Sequence, residues 1–500
     1  MPATAAATCV RAYRPRAAEH TVLHRVVRTH LMTFLRVAEN GGGVPSFVER
    51  EFRQFLQCGV WAHGFARFRC DGCHAERLVP FSCKGRAVCP SCGGRRMAER
   101  AAHLVDHVLP AVPVRQWVLS LPFRLRYVLA WDHVLCRKVL AVYVRALRAL
   151  YCRRARRQGI AAGETGAVTA IQRWGSALNL NVHFHTLVLD GVFAPDAPGD
   201  LRFVPAPPPT PREVARLVAT IARRVTRLVA RYGIKLGAPD DAASEPAGED
   251  AGTLAALAAA SVVGRSVLGR TPGARVGRVG SVPGTAVSRR ASPWQARAAA
   301  FDLHGGRTVR ADDRAGLERL CHYLLRPPLA QERLEILADG RVGLTLAHAW
   351  ADGTRALIFG GTEFLEKLAV LIPKPRVNLL IYHGILGARA RRRAAAVAAV
   401  PPVEPAPAPA GASSTPTALP TTPAPARRAW RWADLMRRVF ALDVLACVCG
   451  ARFRLVATIE DPPVVQRILR NLGLPTETPI PAPARPPPGA DRQPTFDFPS

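Results

Sequence analysis

The sequence predicts an α+β fold in which an antiparallel sheet is backed by helices. Alternating, β-branched segments typical of strands fall at residues 116–121, 167–173 and 182–188. A long amphipathic segment that begins after Asp132 separates the first of these from the other two, as expected of a helix packed on the sheet. Short apolar runs at 334–337, 342–346 and 356–359, joined by Asp-Gly turns, predict a further set of hairpins.

The charge of the chain indicates a polyanionic partner. Among 500 residues there are 69 Lys and Arg against 37 Asp and Glu, which gives a net charge of +32 and a pI near 11.1. Such a balance most simply indicates nucleic acid. Most of the basic residues are Arg, and Ala and Pro are also abundant, so a GC-rich coding bias contributes to the excess. The Arg guanidinium nevertheless binds phosphate well through its planar fork.

The sequence contains no apolar run of about 18 residues that would span a membrane, and its start lacks the continuous apolar core of a secretory signal. We therefore expect a cytoplasmic, nucleoid-associated bacterial protein with no membrane partner and no small-molecule substrate. Its clustered cysteines favour metal binding over disulfides in such a compartment.

Residues 1–110 predict helices followed by a zinc-binding domain. Two CxxC pairs, Cys70 with Cys73 and Cys89 with Cys92, lie close together in the sequence. Four thiolates complete the tetrahedral shell of a structural zinc, so we expect these four sulfur atoms to converge on one ion. The neighbouring Cys58, His74 and Cys83 are substitutes for one ligand, and a redox pair is the alternative function of a CxxC motif.

Arginines surround these cysteine pairs, and Arg95 and Arg96 directly follow the second one. They are candidates for contacts with DNA phosphates, while a solvated charged face explains them equally well.

Residues 111–393 predict the catalytic domain, with a variable insertion at 236–300 that contains one helix. His183 and His185 lie two apart in a strand, so both point to one face and Phe184 points into the opposite layer. Two neutral imidazoles on a rigid strand form part of a metal site that needs further ligands. The alternative is a half-buried strand whose histidines contact water or backbone carbonyls.

A helix over 314–326 is the second candidate element of the site. Tyr323 falls at the edge of its apolar stripe, with Arg319 and Arg326 nearby, and Pro327 ends the helix. The alternative role for Tyr323 is packing against the sheet. The remaining chain divides into a disordered Pro/Ala-rich linker at 394–426, a small C-terminal module at 427–475 and a disordered tail at 476–500.

These pieces resemble the rolling-circle insertion-sequence transposases of family ninety-one and their common-region relatives. The resemblance spans most of residues 20–475, and it is carried by segments that include FRCDGCHAERLVPFSCKGRAVCPSCGGRRMAE, IQRWGSALNLNVHFHTLVLDGVF, LERLCHYLLRPPLAQERL and IPKPRVNLLIYHGIL. The family implies an N-terminal zinc-binding domain and a five-stranded antiparallel sheet of the HUH type, named for two histidines around a hydrophobic residue.

Carried over to this sequence, the resemblance makes His183 and His185 the metal-binding pair and Tyr323 the nucleophile. It implies a DNA transposase that cuts single strands at element ends through a 5′-phosphotyrosine, with Mg²⁺ or Mn²⁺ at the catalytic site. Its DNA partners would be single-stranded or hairpin transposon ends and target DNA. We choose Gln172, on the preceding strand, as the third metal ligand, with a strand-edge hydrogen bond as its alternative role, and Tyr382 as the fallback nucleophile.

Two departures from the family pattern matter. Some members carry two tyrosines four apart, but here Arg319 stands four residues before Tyr323, which resembles the single-tyrosine branch. The C-terminal module usually carries a CxxC motif, but here Cys447 and Cys449 are only two apart, so they are left out of the expected metal ligands. A zinc-dependent DNA-binding regulator and an inactive transposase remnant therefore remain the alternative functions.

Overall fold

The computed structural model describes residues 16–196, 200–236, 252–269, 271–280, 292–398, 432–440 and 442–485. The α-helices of these residues are, in chain order, α1 (Val22–Glu39), α2 (Ser46–Gln57), α3 (Pro90–His107), α4 (Phe123–Trp131), α5 (His133–Arg157), α6 (Pro211–Ala230), α7 (Thr253–Val262), α8 (Arg314–Leu325), α9 (Gly361–Leu371), α10 (Arg393–Ala398), α11 (Trp432–Phe440) and α12 (Pro462–Asn471). The strands are β1 (Phe65–Cys70), β2 (Glu76–Pro80), β3 (Val114–Ser120), β4 (Gly166–Trp174), β5 (Leu180–Leu189), β6 (Gly191–Pro195), β7 (Leu201–Pro205), β8 (Gly277–Val279), β9 (Gln295–Ala298), β10 (Phe301–Val309), β11 (Leu334–Ile336), β12 (Val342–Thr345), β13 (Ala356–Phe359), β14 (Leu380–Gly384) and β15 (Phe453–Ile459).

The central sheet has six antiparallel strands in the order β14-β4-β5-β3-β10-β9. The α+β fold predicted from the sequence is confirmed. The sheet has one strand more than the resemblance implies, because the short β9 pairs with the outer edge of β10. The long helix α5 begins after Asp132, whose carboxylate accepts the N–H of Leu135 at 2.8 Å.

Each face of this sheet packs against its own set of helices. On one face, Trp117 and Phe184 are fully buried in the larger core. On the other face, Val168 and Leu187 join a second core built with α3 and α8. The alternation along β5 therefore sends Phe184 into one layer and the histidines into the other, as strand geometry requires.

A second sheet has four strands in the order β11-β12-β13-β8. Its Asp-Gly turns are the predicted ones, and Gly340 and Gly353 have φ values of +79° and +84° that glycine adopts without strain. The described parts of the predicted insertion join the main fold. Leu254 and Leu257 of α7 are buried in the larger core, and the buried carboxylate of Glu366 accepts the backbone N–H groups of residues 267 and 268 at 2.9 Å.

The third sheet connects the two ends of the chain. β1 lies between β2 and β15, and Phe65 and Cys70 of β1 pair with Ile459 and Phe453 of β15. The C-terminal residues thus complete the sheet of the N-terminal domain. Residues 399–431 and 486–500, which hold most of the predicted linker and tail, lie outside the described residues. Within the described residues no helix is long and apolar enough to cross a membrane.

Candidate active site and cysteine clusters

The two histidines lie on β5, an inner strand of the central sheet. The rings of His183 and His185 are 4.9 Å apart between centroids. The Nδ1 atom of His183 lies 2.7 Å from the carbonyl oxygen of Asn181. Because a carbonyl only accepts, Nδ1 carries the proton and Nε2 keeps a lone pair that can bind a cation.

Gln116 on β3 positions the second histidine. Its side-chain amide lies 2.9 Å from Nδ1 of His185. The atom that faces the ring is the amide nitrogen of Gln116, which donates to Nδ1 and leaves the proton of neutral His185 on its Nε2. A 180° rotation of the amide, which exchanges its oxygen and nitrogen, lets Nδ1 donate instead and frees Nε2 of His185 as a ligand. Sequence reasoning missed Gln116, although a polar residue directly before the apolar run of residues 117–119 was a signal that could have found it.

Burial keeps both imidazoles neutral. It lowers the pKa of His183 to about 4 and the pKa of His185 to about 3, and in each case the positive charge of Arg326 acts in the same direction. At neutral pH both rings are therefore in the form that coordinates metals.

Gln172 lies directly opposite His183 in the pairing of β4 with β5, so the two side chains share a face. Its amide nitrogen donates to the carbonyl of Leu324 at 2.7 Å and to that of Tyr323 at 3.5 Å. The amide nitrogen thus holds the end of α8 beside the histidines. The amide oxygen is the only atom of this side chain that could coordinate a cation.

Tyr323 faces the histidines from α8. Asp313 caps this helix by accepting the N–H of Gly316 at 2.7 Å, and the predicted apolar stripe is buried against the sheet. The Tyr323 side chain is 39% exposed, and its ring lies 5.8 Å from that of His185. The guanidinium of Arg326 lies 4.5 Å from the centre of the tyrosine ring, and that of Arg307 on β10 lies 6.0 Å from it.

Tyr382, the fallback nucleophile, lies elsewhere on the sheet. It sits on β14 opposite Val168, which is four residues along β4 from Gln172. Four strand residues span about 13 Å. Tyr382 is half-buried and lies 5.7 Å from the guanidinium of Arg393. Tyr323, by contrast, touches the ring of His185.

A cleft beside Gln172 separates the sheet from α3 and is lined by Arg86, Arg96, Arg100 and Arg326. Arg86 and Arg96 donate to backbone carbonyls, at 2.6 Å to Val377 and at 2.7 Å to Lys84. Arg100 has no hydrogen bond or ion pair with any described residue, and burial together with the charges of Arg96 and Arg86 lowers its pKa.

Of the predicted DNA-binding arginines, the structure brings Arg96 and Arg326 to this cleft. Arg95 is exposed outside the cleft lining. Arg319 is also exposed and lies 3.8 Å from Asp313.

The cysteines form two clusters where the sequence predicted one. Cys89 and Cys92 converge with Cys58 and Cys83, whereas Cys70 and Cys73 converge with Cys447 and Cys449. In each cluster the sulfur atoms all lie within 4.8 Å of one another. The prediction of a single cluster of Cys70, Cys73, Cys89 and Cys92 is therefore wrong, because the two CxxC pairs each find their partners elsewhere in the chain. Cys447 and Cys449, which the sequence analysis left out of the expected metal ligands, lie in the second cluster.

The first cluster has the dimensions of a zinc site. The sulfur atom of Cys92 lies 3.5 Å from that of Cys83 and 3.7 Å from that of Cys58, which in turn lies 3.6 Å from that of Cys89. A tetrahedron with zinc–sulfur bonds of ~2.3 Å has edges of about 3.8 Å. Contacts with Cys58, then with Cys89 and Cys92, raise the pKa of the Cys83 thiol far above its usual range, because adjacent sulfurs cannot all ionise without a cation among them.

Two neighbouring features shape this cluster. Cys89 and Cys92 stand at the N-terminus of α3, where the positive end of the helix dipole favours thiolates. One carboxylate oxygen of Glu51 accepts the backbone N–H groups of Arg86 at 2.5 Å and Ala87 at 2.9 Å. These bonds fix the loop between Cys83 and Cys89.

Two protein-family models match separate parts of the chain. Residues 166–394, which contain β5 and α8, match the family model described as "Putative transposase". Residues 26–121, which contain the first cluster, match the model described as "Transposase zinc-binding domain". The protein is therefore a DNA-processing transposase with a zinc-binding domain.

More narrowly, the chain belongs to the IS91 family of insertion-sequence transposases. No curated protein and no solved structure matches the chain.

Proposed function

We propose that this transposase is a metal-dependent HUH endonuclease and ligase that cuts single-stranded DNA at element ends through a bond to Tyr323. The observation that carries the proposal is the edge-to-face contact of the Tyr323 ring with the ring of His185, at 5.8 Å between centroids, on the sheet face that also carries His183. One nucleophile above two neutral imidazoles is the arrangement that strand transfer by a tyrosine needs.

The residues present fit a catalytic divalent cation. Nε2 of His183 and Nε2 of His185 would hold it, with the amide oxygen of Gln172 as the third ligand. When bound, Mg²⁺ or Mn²⁺ would polarise the scissile phosphate and neutralise its charge. Asn181 holds the His183 ring in the tautomer that this role requires, and Gln116 does the same for His185 when its amide oxygen is turned towards Nδ1.

The covalent step uses the phenol oxygen of Tyr323. It bonds to the scissile phosphorus as the bond from phosphorus to the 3′ oxygen breaks; the phenol loses its proton and the 3′ oxygen gains one. The products are a 5′-phosphotyrosine and a free 3′-OH. Because one phosphoester replaces another, attack by a 3′-OH on the phosphotyrosine rejoins the strand without a separate energy source.

Arginines line the surface along which the DNA strand would bind. Arg307 and Arg326 flank the tyrosine ring, and the cleft with Arg96 and Arg100 continues from Gln172 towards the zinc-binding domain. Burial, together with the nearby positive charges of Arg96 and Arg86, lowers the pKa of the half-buried Arg100 guanidinium, so a bound anion there would be stabilised. Single-stranded or hairpin DNA phosphates are such anions, and the affinity should fall steeply as salt rises.

The test is cleavage of single-stranded element-end oligonucleotides in Mn²⁺. A 3′-end label should appear on a covalent protein adduct, and a 5′-end label should appear on a released fragment with a free 3′-OH. Tyr323→Phe should abolish both products while DNA binding persists, and Tyr382→Phe, the matched control, should retain them.

The other outcomes separate the alternative functions. An adduct that persists in Tyr323→Phe and disappears in Tyr382→Phe would assign the chemistry to Tyr382 and overturn the proposal. Specific DNA binding with no cleavage under any metal would instead support a DNA-binding regulator or an inactive remnant.

A further inference from the structure

We propose that Cys70, Cys73, Cys447 and Cys449 form a second zinc site that fastens the C-terminal module, described at residues 432–440 and 442–475, to the zinc-binding domain. The sulfur atoms of Cys70 and Cys449 are 3.5 Å apart, as are those of Cys73 and Cys447. These distances are close to the edge of about 3.8 Å expected for four thiolates around one zinc.

Two tight turns present the four sulfur atoms. In the first, the N–H of Cys70 donates to the carbonyl of Ala75 at 2.8 Å, and His74 takes a positive φ of 58°. In the second, the N–H of Cys447 donates to the carbonyl of Ala451 at 2.9 Å. Gly450, with a φ of +85°, closes that turn directly after Cys449. The CxC spacing therefore suits a turn that is one residue tighter than a CxxC turn.

The separation of the thiols identifies a metal site rather than a disulfide. A disulfide needs sulfur atoms about 2.05 Å apart, and every cysteine in both clusters is free. Cys73 and Cys449 are exposed, so burial in an apolar core does not explain their convergence. In the part of the chain that the structure describes, the apolar cluster here has three buried members, Cys70, Cys447 and Phe453, which is a small core that needs an additional link to hold the turns together.

The two turns also approach each other closely. A methyl group placed on Gly72 would lie 2.8 Å from Cβ of Ala451 and 3.4 Å from the sulfur of Cys449. Together with the pairing of β1 and β15, this contact sets the two cysteine pairs face to face.

Metal binding at this site keeps Arg438, a cation of the C-terminal module, beside α8, the helix that carries Tyr323. Arg438 on α11 donates to both carboxylate oxygens of Glu318 at 3.0 Å and also to the carboxylate of Asp106. Glu318 lies five residues before Tyr323 on α8, and Asp106 lies on α3. The second zinc thus holds the C-terminal module in the position from which Arg438 forms ion pairs with both α8 and α3. Only the effect on Tyr323 rests on the proposed cleavage chemistry; the zinc content does not.

The experiment counts zinc in the purified full chain. We expect two zinc ions per wild-type chain and one in the double variant Cys447→Ser/Cys449→Ser. The matched control is Cys152→Ser, which removes a thiol outside both clusters that donates to the carbonyl of Gly163 at 3.5 Å. It should retain two. Replacing zinc with Co²⁺ should give thiolate-to-cobalt absorption that falls by half in the double variant alone.

The stoichiometry of the wild-type chain is decisive even if the double variant folds poorly. One zinc per wild-type chain, or two in a folded double variant, would overturn the proposal. A Cys449→His variant, which keeps a ligand that zinc accepts, should retain both ions. Because zinc is counted without DNA, failure of the cleavage reaction would leave this result standing, and a single zinc would leave the cleavage reaction standing.

Discussion

The two cysteine clusters offer the same four thiolates but differ in where these come from. The first takes its ligands from residues 58 to 92, and three of the four are buried in the larger core. The second takes two ligands from each end of the chain and leaves Cys73 and Cys449 exposed. We infer that the first cluster is needed for the zinc-binding domain to fold, whereas the second, which is the joint between that domain and the C-terminal module, links two parts that are already folded.

The largest expected effect is the loss of a buried thiolate from the first cluster. A structural zinc contributes on the order of 10 kcal/mol to folding at neutral pH. Cys89→Ser should therefore lower the melting temperature of the protein sharply and remove the cooperative unfolding of the zinc-binding domain. Cys449→Ser should lower the melting temperature much less. Thermal unfolding followed by circular dichroism measures both, and equal losses would contradict the distinction between fold and joint.

The order of zinc release should show the same difference. A chelator in excess should remove zinc from the wild-type protein in two phases, because exposed Cys73 and Cys449 let it reach the second site first. A colorimetric zinc indicator follows the release. The fast phase should be missing in Cys447→Ser/Cys449→Ser, and a single phase with two zinc ions in the wild type would show that the sites are equally protected.

The sequence predicted the two CxxC pairs but not which other cysteines lie beside each pair. CxxC spacing predicts that Cys70 and Cys73 share an ion. The cysteines that cluster with that pair, Cys447 and Cys449, are too far along the chain for any spacing rule to find them. By contrast, strand parity was enough to put His183 and His185 on one face, and helix angles were enough to put Tyr323 at the edge of its stripe.

The position of Arg307 shows why other residues of the site could not be predicted from the sequence. It is three residues from His304 on β10, so simple alternation would turn the two side chains to opposite faces. The register shift between them, which contains Gly305 and Gly306, instead aligns His304 with Val118 and Arg307 with Gln116 on β3. Nothing in the sequence fixes such a bulge before the pairing of the strands is known.

An intermediate effect is expected where the first cluster meets α2. Glu51→Gln keeps the shape of the side chain but removes the charge that holds the N–H groups of Arg86 and Ala87. Loss of these charge-assisted bonds should destabilise the protein by about 2 kcal/mol. Urea unfolding measures the change. Glu49→Gln on the same helix, which breaks only an exposed pair with Arg53, should change stability by well under 1 kcal/mol.

The smallest effect is expected at the contact between the C-terminal module and the tyrosine helix. Arg438→Gln removes a cation that pairs with both Glu318 and Asp106. The hydrogen bond with Glu318, and then the one with Asp106, raise the pKa of Arg438. A partly exposed ion pair of this kind stabilises the position of α8 by about 1 kcal/mol. If cleavage needs α8 in that position, the loss of the pair should slow strand cleavage about fivefold.

The zinc content should stay unchanged in Arg438→Gln, which separates this contact from the second site that holds the module in place. Arg437→Gln is the matched control, because Arg437 pairs with Asp443 inside the module and does not reach α8. Single-turnover cleavage measures the rate, and hydrogen exchange of α8 measures its mobility directly. If α8 exchanges no faster in Arg438→Gln than in Arg437→Gln, the second cluster joins the ends of the chain without acting on Tyr323.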